Sequence, residues 1–279
     1  GMMGPASLDG DGFRYVATLL HDRAGIVVEP GKEYLVDTRL RQLARERGCP
    51  GGPAALVAEL RRAGGRGPLV AAVVDAMTTN ETFFFRDRGL WTALRETVLP
   101  ELISARRSQR RVRIWCAAAS TGQEPYTIAM CLHEQRHLIR DWDVGIVATD
   151  ISGEALDRAR AGRYSAFEVE RGLDAAQRRR YFTASDGGYV IDDALRAMVT
   201  FATGNLIEHW PVVETQDLIF LRNVLIYFDD ATRTRILVRA SRLLAEDGLL
   251  FLGATESPPH GSEVLRRHVV GPAWGYRRR

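Results

Sequence analysis

The chain has 279 residues, 46% of which are hydrophobic, and its formal net charge at pH 7 is only +3. This length allows one large domain or two smaller ones with a buried core, and the small net charge gives no argument for nucleic-acid binding. The sequence shows no apolar run that could span a membrane, no signal-peptide pattern, no zinc motif and no disulfide framework, so we expect a cytoplasmic protein without a metal.

The first 88 residues have the periodicity of helices, with apolar side chains at positions i, i+3, i+4 and i+7. Clusters rich in glycine and proline at 48–53 and 64–68 separate the periodic segments. The pattern predicts a small all-helical domain over residues 1–88, with helices at 13–20, 34–43, 54–62 and 69–77. A longer helix from about residue 88 to 105 follows, and we expect residues 89–111 to link the two parts of the chain.

Beyond residue 111, short apolar strands alternate with helices, which is the pattern of a parallel sheet covered on both faces. The predicted strands are 112–119, 144–149, 199–202, 217–221 and 249–253, and the predicted helices are 125–138, 152–161 and 231–245. A closing hairpin is predicted at about 263–277, and the segment 164–198 has the pattern of a small antiparallel insertion. We therefore expect an α/β domain over residues 112–279.

The run TTNETFFFRD at 78–87 combines polar side chains with three successive phenylalanines. Three adjacent aromatic residues cannot all face one core, either on a helix or on a strand. We expect at least one of them to line a pocket wall or a seam between domains. Because the polar groups beside them suit a small zwitterion, the run is a candidate for half of a ligand site.

Polar residues follow the first two predicted strands, at the edge where ligands bind in open parallel sheets. Gly122 would permit close approach of the backbone, and Glu124, in the first turn of a helix, is placed to meet a ligand ammonium. Asp150 ends the second strand, where a carboxylate can accept both hydroxyls of a ribose. Structural roles are also open for these residues, namely an ordinary strand-to-helix turn for the first pair and an N-cap for Asp150.

Two later strands end in groups that suit a nucleoside or a charged substrate. Asn205 and Leu206 follow one of them, and an amide beside an aliphatic side chain can read and sandwich an adenine edge. The other ends in Arg222 and Asn223, with Tyr227 soon after. The structural alternative is a sheet strand that continues into an amphipathic segment. An unpaired buried guanidinium would be costly, and this cost argues against that alternative.

In combination, these segments resemble the CheR family, the chemotaxis receptor glutamate methyltransferases. The matching segments are TTNETFFFRD (78–87), AAASTGQEPYT (117–127), ATDIS (148–152) and LRNVLIYF (221–228), and the resemblance extends from about residue 10 to 276. It implies a class I methyltransferase fold, Rossmann-like with a mostly parallel seven-stranded sheet, that carries a small all-helical amino-terminal domain and the antiparallel insertion.

The resemblance also implies S-adenosylmethionine as cofactor and S-adenosylhomocysteine as product, with no metal. The matching positions that it places around the cofactor are Asn80, Thr82, Arg86, Glu124, Asp150, Asn205, Leu206, Asn223 and Val224. One departure from methyltransferases in general is that the GxGxG motif of the first loop is reduced to Gly122, with Ala117 and Ala119 at the other glycine-like positions.

The implied activity is methyl transfer to the γ-carboxylate of receptor glutamates, which gives glutamyl methyl esters for sensory adaptation. Arg86 is the candidate to orient the attacking carboxylate, and Tyr227 the candidate to hydrogen-bond it or shape its approach. A glutamate is ionised at pH 7, so no strong general base is needed, and the six histidines lie outside the matching segments. We expect residues 78–86, called the lid segment below, to close over the cofactor from the helical domain.

The implied partner is the cytoplasmic domain of a chemoreceptor or a related signalling protein, and the family favours a monomer. A helix with Arg39, Arg41 and Arg45 is a candidate docking surface for an acidic receptor helix, although such charges also occur on solvated faces. In this family the insertion can bind a peptide tether, and the sequence leaves its use here open. Two other functions also stay open: a class I methyltransferase with a different substrate, and a non-catalytic regulator that binds cofactor or peptide.

Overall fold

The computed structural model describes residues 7–78, 81–260 and 262–279. Its amino-terminal part is helical, as predicted, with α1 Gly10–Ala24, α2 Glu33–Glu46, α3 Gly52–Arg62 and α4 Pro68–Thr78. The first helix has clear end signals, since the Asp9 side chain accepts a hydrogen bond from the Gly12 N–H and Gly25 ends the helix at φ 72°. None of the helices in the described ranges is both long enough and apolar enough to cross a membrane.

A second helical stretch joins this part to the sheet. It consists of α5 Arg88–Ala93, a π-helical turn Leu94–Val98 and α6 Leu99–Ala105. Trp91 stacks on Phe220 of the sheet, with ring centroids 5.8 Å apart. The predicted linker is therefore also packed against the sheet and belongs to its core.

The remaining elements follow the predicted alternation of strands and helices. The strands are β1 Arg111–Ala117, β2 Asp143–Asp150, β3 Arg163–Tyr164, β4 Phe182–Ser185, β5 Gly188–Ile191, β6 Val199–Thr203, β7 Gln216–Phe220, β8 Leu244–Phe251, β9 Leu265–Val270 and β10 Ala273–Arg278. The helices are α7 Gln123–Glu134, α8 Gly153–Ala161, α9 Ala166–Glu170, α10 Ala175–Tyr181, α11 Asp193–Arg196 and α12 Asp230–Leu243, with a 3-10 turn Leu225–Tyr227. The structure differs from prediction in that β8 begins at Leu244 rather than at Leu249, and in that the insertion also carries the helices α9, α10 and α11, which the pattern did not predict.

Within the described residues, seven strands form one sheet in the order β6-β2-β1-β7-β8-β10-β9. β6, β2, β1, β7 and β8 pair in parallel, and β10 pairs antiparallel with both β8 and β9. The predicted α/β fold, mostly parallel with a closing hairpin, is confirmed. β1 and β2 lie side by side, so the loops after them meet at one edge of the sheet.

The insertion between α8 and β6 carries a separate small sheet. β3, β5 and β4 pair antiparallel in that order, and a short turn at Asp186 and Gly187 joins β4 to β5. Both turn residues have positive φ, which is the geometry that a tight hairpin requires. The predicted antiparallel insertion is therefore present.

Each face of the large sheet has its own hydrophobic core. On one face, Ile114 and Cys116 of β1 pack with α5, α7 and the insertion. On the other face, Trp115 and Ala117 of the same strand share a cluster with side chains of the helical domain such as Leu40. The helical domain is thus attached through a continuous core, which places α2 and α4 beside the carboxyl ends of the strands.

The three phenylalanines of the lid segment separate as their pattern predicted. Phe84 is fully buried and packs edge-on against Tyr164 and Phe182 of the insertion. Phe85 is buried against Trp91. Phe83 stays half-buried and lines a cavity. Two of the rings therefore anchor the lid segment, and the third forms part of a pocket wall.

We expect Phe84→Ala to lower the free energy of unfolding by about 3–5 kcal/mol, because the substitution removes a buried ring and leaves a cavity. Phe167→Ala is the matched control, since the Phe167 side chain is 71% exposed, and it should cost less than about 0.5 kcal/mol. Urea denaturation at pH 7 measures both values. Equal losses in the two variants would show that Phe84 does not anchor the lid segment.

Candidate functional site

A cavity of about 560 Å³ lies between the helical domain and the carboxyl ends of the parallel strands. Its volume falls in the range of pockets that hold cofactors and small ligands. Its walls come from α2 and α4, from the lid segment, and from the loops that follow β1, β2, β6 and β7. The cavity is therefore formed by both parts of the chain, at the edge where the sequence predicted a ligand.

The loop after β1 turns sharply before α7 begins. Ala118 and Ser120 have φ of 57° and 52°, and Gly122, next to the helix, has φ of 100°. Gly122 does not line the cavity, and a Cβ there would lie 2.9 Å from Tyr164 Oη and 3.0 Å from Ala159 Cβ. Gly122 is therefore required by its φ and by close packing on the insertion and α8, and close approach of its backbone to a ligand stays a prediction.

Asp150 accepts hydrogen bonds on both carboxylate oxygens. Ser120 N donates to Oδ2 at 2.8 Å, and Ser152 N donates to Oδ1 at 2.9 Å. Burial raises the pKa of Asp150, and the backbone donors oppose that rise. The N-cap of α8 is Ser152, whose hydroxyl accepts from Ala155 N, so the alternative N-cap role of Asp150 does not hold. Asp150 lines the cavity, and its oxygens keep lone pairs for ligand hydroxyls.

A second carboxyl group that the sequence pattern did not indicate lies in the same cavity as Asp150. Asp75, on α4 of the helical domain, lines the same cavity. Burial, followed by the nearby charges of Asp150, Glu154 and Glu46, raises the pKa of Asp75 to about 6. Two carboxyl groups from different domains thus line one cavity and influence each other electrostatically.

Glu124 lies in the first turn of α7 and pairs with a buried arginine. Arg222 Nη1 donates to Glu124 Oε2 at 3.1 Å, and Arg222 Nη2 pairs with Asp87, directly after the lid segment. Burial raises the pKa of Glu124, and the charge of Arg222 is the main influence that lowers it. The Arg222 side chain is 1% exposed. Its Nε is buried and, within the described parts of the chain, has no hydrogen-bond partner, while Trp91 lies beneath the guanidinium at 5.5 Å.

The lid segment contributes Thr82 and Arg86 to the cavity wall. Asn80, the third predicted cofactor contact of this segment, lies outside the described residues. Arg86 donates through Nη1 to the backbone carbonyl of Glu81, and Trp91 Nε1 donates to the carbonyl of Arg86 at 2.6 Å. These contacts hold the Arg86 backbone at the cavity.

The insertion holds the outer side of the lid segment. Arg171 pairs with Glu81 and lies over the ring of Phe83 at 4.2 Å. The neighbouring Gly172 has φ of +87°, and a Cβ on it would lie 1.8 Å from the carbonyl oxygen of Phe84. The lid segment and the insertion are therefore in direct backbone contact.

Tyr227 links the sheet domain to the helical domain. Its hydroxyl donates to the carbonyl of Thr78 at 3.0 Å, and its own carbonyl accepts from Val27 N at 2.9 Å. The side chain also lines the cavity. Tyr227 therefore contacts the start of the lid segment as well as the cavity.

Asn205 has a structural use for its amide that the sequence did not indicate. Its Nδ2 donates to the carbonyl of Arg23 at 2.7 Å, and its Oδ1 accepts from Ile207 N at 3.2 Å. Asn205 and Leu206 both line the cavity, and so does His209. The predicted apolar contact from Leu206 is available there, while the amide of Asn205 also joins the two domains.

Asn223 and Val224 line the cavity after β7, as the sequence placed them. A residue that the sequence analysis missed, Glu256, shapes this loop. Its carboxylate accepts from Asn223 N at 2.5 Å, from Ile226 N at 3.3 Å and from Gly253 N at 2.9 Å. Asn223 itself has a positive φ of 60°, so the buried Glu256 holds a turn that few residues adopt.

The predicted docking arginines of α2 do not share one surface. Arg39 lines the cavity. Arg41 pairs with Asp37 at 3.2 Å and donates to the Ser7 hydroxyl at 2.9 Å. Arg45 is exposed. A receptor helix that met Arg41 and Arg45 would lie beside the cavity, whereas Arg39 faces into it.

The groups in the cavity fit the cofactor that the resemblance implies. Glu124 offers a carboxylate to an ammonium, Asp150 offers acceptors to ribose hydroxyls, and Leu206 and Val224 offer apolar contact to a base. The orphaned Nε of Arg222 shows that this end of the cavity still has a polar group to satisfy. In the described ranges, no cluster of histidine, cysteine, aspartate or glutamate side chains is arranged to hold a metal ion.

Comparisons with known proteins cover both domains that form the cavity. Residues 11–78 match a family model described as the CheR methyltransferase all-alpha domain, and residues 80–269 match the CheR methyltransferase SAM-binding domain. A chemotaxis protein methyltransferase 1 from Pseudomonas aeruginosa is 40% identical over 91% of this chain and 92% of its own length. A chemotaxis protein methyltransferase from Vibrio parahaemolyticus is 39% identical over 88% of each chain.

We expect Gly172→Ala to displace the lid segment, because the new methyl group would overlap the carbonyl of Phe84. Binding of S-adenosylhomocysteine, measured by calorimetry, should weaken about tenfold or more, a loss of at least ~1.4 kcal/mol. Gly187→Ala is the matched control: Gly187 also has positive φ and lies in the insertion, but its Cβ would meet nothing within 4 Å. Its cost should be a backbone penalty of about 1–2 kcal/mol in stability. Unchanged binding by Gly172→Ala would contradict the lid contact.

We expect the free energy of unfolding of Asp75→Asn to rise relative to that of the wild type as pH increases from about 4 to about 6. The pKa of Asp75 is raised from 3.8 to about 6 in the folded state. The folded wild type therefore binds the proton more tightly than the unfolded chain does, and it loses stability across this range while the variant does not. The difference should level off above pH 7 at no more than about 3 kcal/mol. Urea denaturation of both proteins at several pH values tests this, and parallel stability profiles would disprove it.

Proposed function

Because the chain belongs to the CheR methyltransferase family, we propose that it transfers a methyl group from S-adenosylmethionine to the γ-carboxylate of glutamates on the cytoplasmic helices of chemotaxis receptors. The products would be glutamyl methyl esters and S-adenosylhomocysteine. The observation that carries the proposal is that one cavity is bordered by both domains of the family, with described residues from each of the four matching segments on its walls.

Charge complementarity supports a zwitterionic cofactor in this cavity. Glu124 would hold the amino-acid ammonium, and Asp150 would accept the ribose hydroxyls. Thr82 would close over the cofactor as part of the lid segment, and Asn80, which lies outside the described residues, stays a proposed cofactor contact. When bound, S-adenosylmethionine supplies a methyl group already activated on a sulfonium, so the protein mainly has to bind, orient and exclude water.

Arg86 is the residue that we propose to orient the acceptor glutamate. It is the cation that the lid segment contributes to the cavity wall, and a charge-assisted contact would align a carboxylate oxygen with the methyl group. Tyr227, whose hydroxyl already contacts Thr78, would shape the approach from the opposite domain. A glutamate carboxylate with a pKa near 4.3 is ionised at neutral pH, so no side chain has to remove a proton first.

The apolar walls of the cavity favour this reaction. Attack by a carboxylate on a methyl sulfonium neutralises charge on both partners, so exclusion of water lowers the barrier relative to the charged reactants. Trp91, Trp115 and Phe228 supply large apolar surfaces to the cavity lining. The lid segment would complete the exclusion of water, since its own Phe84 and Phe85 are buried.

The receptor segment would approach beside α2. Arg41 and Arg45 would meet an acidic helical surface, and Arg39, at the cavity wall, would draw the acceptor carboxylate inward. In the insertion, a short turn joins β4 to β5. A peptide tether that bound an edge of this small sheet would add a second attachment. Charge reversal at Arg41 and Arg45 would separate these two modes of docking.

We expect Arg86→Ala to reduce methyl transfer to a receptor fragment by about 10²-fold or more, because a single charged orienting group is lost from the reacting centre. Arg88→Ala is the matched control, since Arg88 carries the same charge two residues away, is exposed and does not line the cavity. Transfer of a radiolabelled methyl group is the measurement. Full activity of Arg86→Ala would remove Arg86 from the mechanism.

The same assay tests the substrate. Labelling should be lost when the acceptor glutamates of the fragment are changed to glutamine, because an amide is not a carboxylate nucleophile. Labelling that persists would indicate a different acceptor group and hence another class of methyltransferase. Binding of S-adenosylhomocysteine without any transfer would indicate a non-catalytic regulator.

A further inference from the structure

Arg222 joins two carboxylates that come from different sides of the cavity. It follows directly after β7, and its side chain is 1% exposed. Nη1 lies 3.1 Å from Glu124 Oε2, and Nη2 pairs with Asp87 Oδ2. Glu124 belongs to α7 of the sheet domain, whereas Asp87 directly follows the lid segment. One buried guanidinium thus bridges the candidate ammonium site and the base of the lid.

The charges around Glu124 explain why such a bridge is needed. Arg222, Arg86 and Asp87 are the charged groups that face it, and the Cys116 thiol lies 3.9 Å from its Oε1. Burial favours the protonated form of Glu124, while Arg222 favours the ionised form more than any other neighbour does. A protonated Glu124 would have no charge to offer to a ligand ammonium. Arg222 is therefore the neighbour that most favours the ionised form of Glu124 against the effect of burial.

The backbone at the base of the lid also depends on this contact. Phe85 and Asp87 have φ of 54° and 66°, in the left-handed region that is unfavourable for a non-glycine residue. Such geometry persists only where neighbouring contacts fix it. The contacts at this point include the Arg222 pair with Asp87, the Trp91 hydrogen bond to the carbonyl of Arg86, and the hydrogen bond from Phe85 N to Thr127 Oγ1 at 3.2 Å. Arg86 lies between the two strained residues.

We propose that Arg222 is a positioning residue that couples cofactor recognition to the lid: it holds Glu124 as an anion for the cofactor ammonium and, through Asp87, fixes the segment that carries Arg86. The inference rests on the proposed function and deepens it, because it assigns the buried arginine of the β7 loop a role in the same site. A bound ammonium and a placed Arg86 then depend on one shared cation.

The test is calorimetric binding of S-adenosylhomocysteine between pH 6 and pH 8.5. We expect the affinity of the wild type to change less than about threefold over this range. In Arg222→Gln the affinity should fall at every pH and fall further towards low pH, approaching tenfold per pH unit, because one proton then competes with ligand binding. Arg222→Lys, which retains the charge, should restore a nearly flat profile.

Arg106→Gln is the matched control for loss of a buried arginine. Arg106 also pairs with two carboxylates, Asp217 at 2.9 Å and Asp247 at 2.6 Å, and its side chain is 11% exposed. Its partner Asp217 lies near the amino end of β7, away from the cavity. We expect Arg106→Gln to lower thermal stability while its pH profile for binding stays flat.

Asp87→Asn tests the second half of the coupling. It leaves the Arg222 pair with Glu124 in place, so the pH profile of binding should remain flat, but turnover with a receptor fragment should fall because the segment bearing Arg86 is released. A loss in kcat without a comparable loss in cofactor affinity is the expected signature. Unchanged kcat would overturn the link to the lid.

The outcomes separate this inference from the proposed function. If the wild type binds S-adenosylhomocysteine and Arg222→Gln keeps a flat profile, the positioning role is wrong while the proposed function stands. If Arg222→Gln and Arg222→Lys lose affinity equally and without pH dependence, the role of Arg222 is structural and the inference is again overturned. If the wild type itself does not bind, both proposals fail.

Discussion

The hydrophobic contact between the helical domain and one face of the sheet is the constraint on which the site depends. The carboxyl ends of parallel strands form an open edge, and an open edge alone cannot exclude water from a ligand. Here a continuous core from Leu40 of α2 to Trp115 of β1 fixes the helices above that edge. Ordinary packing therefore fixes both walls of the cavity. It also fixes the distance between the polar groups on one wall and those on the other.

Burial then changes the pKa values of the acidic side chains in the cavity. Acidic side chains from both domains lie in one cavity, and their pKa values are raised where they are most buried, as at Asp75, Asp150 and Glu124. Two of them are balanced by different means: backbone donors serve Asp150, and a guanidinium serves Glu124. A cationic cofactor would complete the balance, since a cavity with excess negative charge favours positive ligands.

The fold was predictable because its signals are local and repeated. Helical periodicity before residue 88, and apolar strands alternating with helices after residue 111, each recur over many residues. The site was predictable in part, because strand ends in a parallel sheet indicate where ligands bind, as at Glu124 and Asp150. The family resemblance supplied the lid residues Thr82 and Arg86, which periodicity alone does not identify.

The residues that were missed act through contacts that are distant in sequence. Asp75 lies in an apolar helix, and nothing nearby indicates that it faces Asp150. The partners of Arg222 and the three backbone donors to Glu256 also come together only in the folded chain. The sequence indicated that a buried Arg222 needed partners, but it could not name Asp87 and Glu124.

Two ion pairs, one at the outer side of the lid segment and one at its base, differ in how they respond to ionic strength. The outer pair, Arg171 with Glu81, has side chains that are 34% and 61% exposed, so dissolved ions screen it. The inner pair, Arg222 with Asp87, is shielded from solvent on the arginine side and is screened much less. A rise in salt therefore weakens the Arg171 pair with Glu81 more than the Arg222 pair with Asp87. The apolar packing of Phe84 against Tyr164 and Phe182, which also joins the lid segment to the insertion, does not rely on charge.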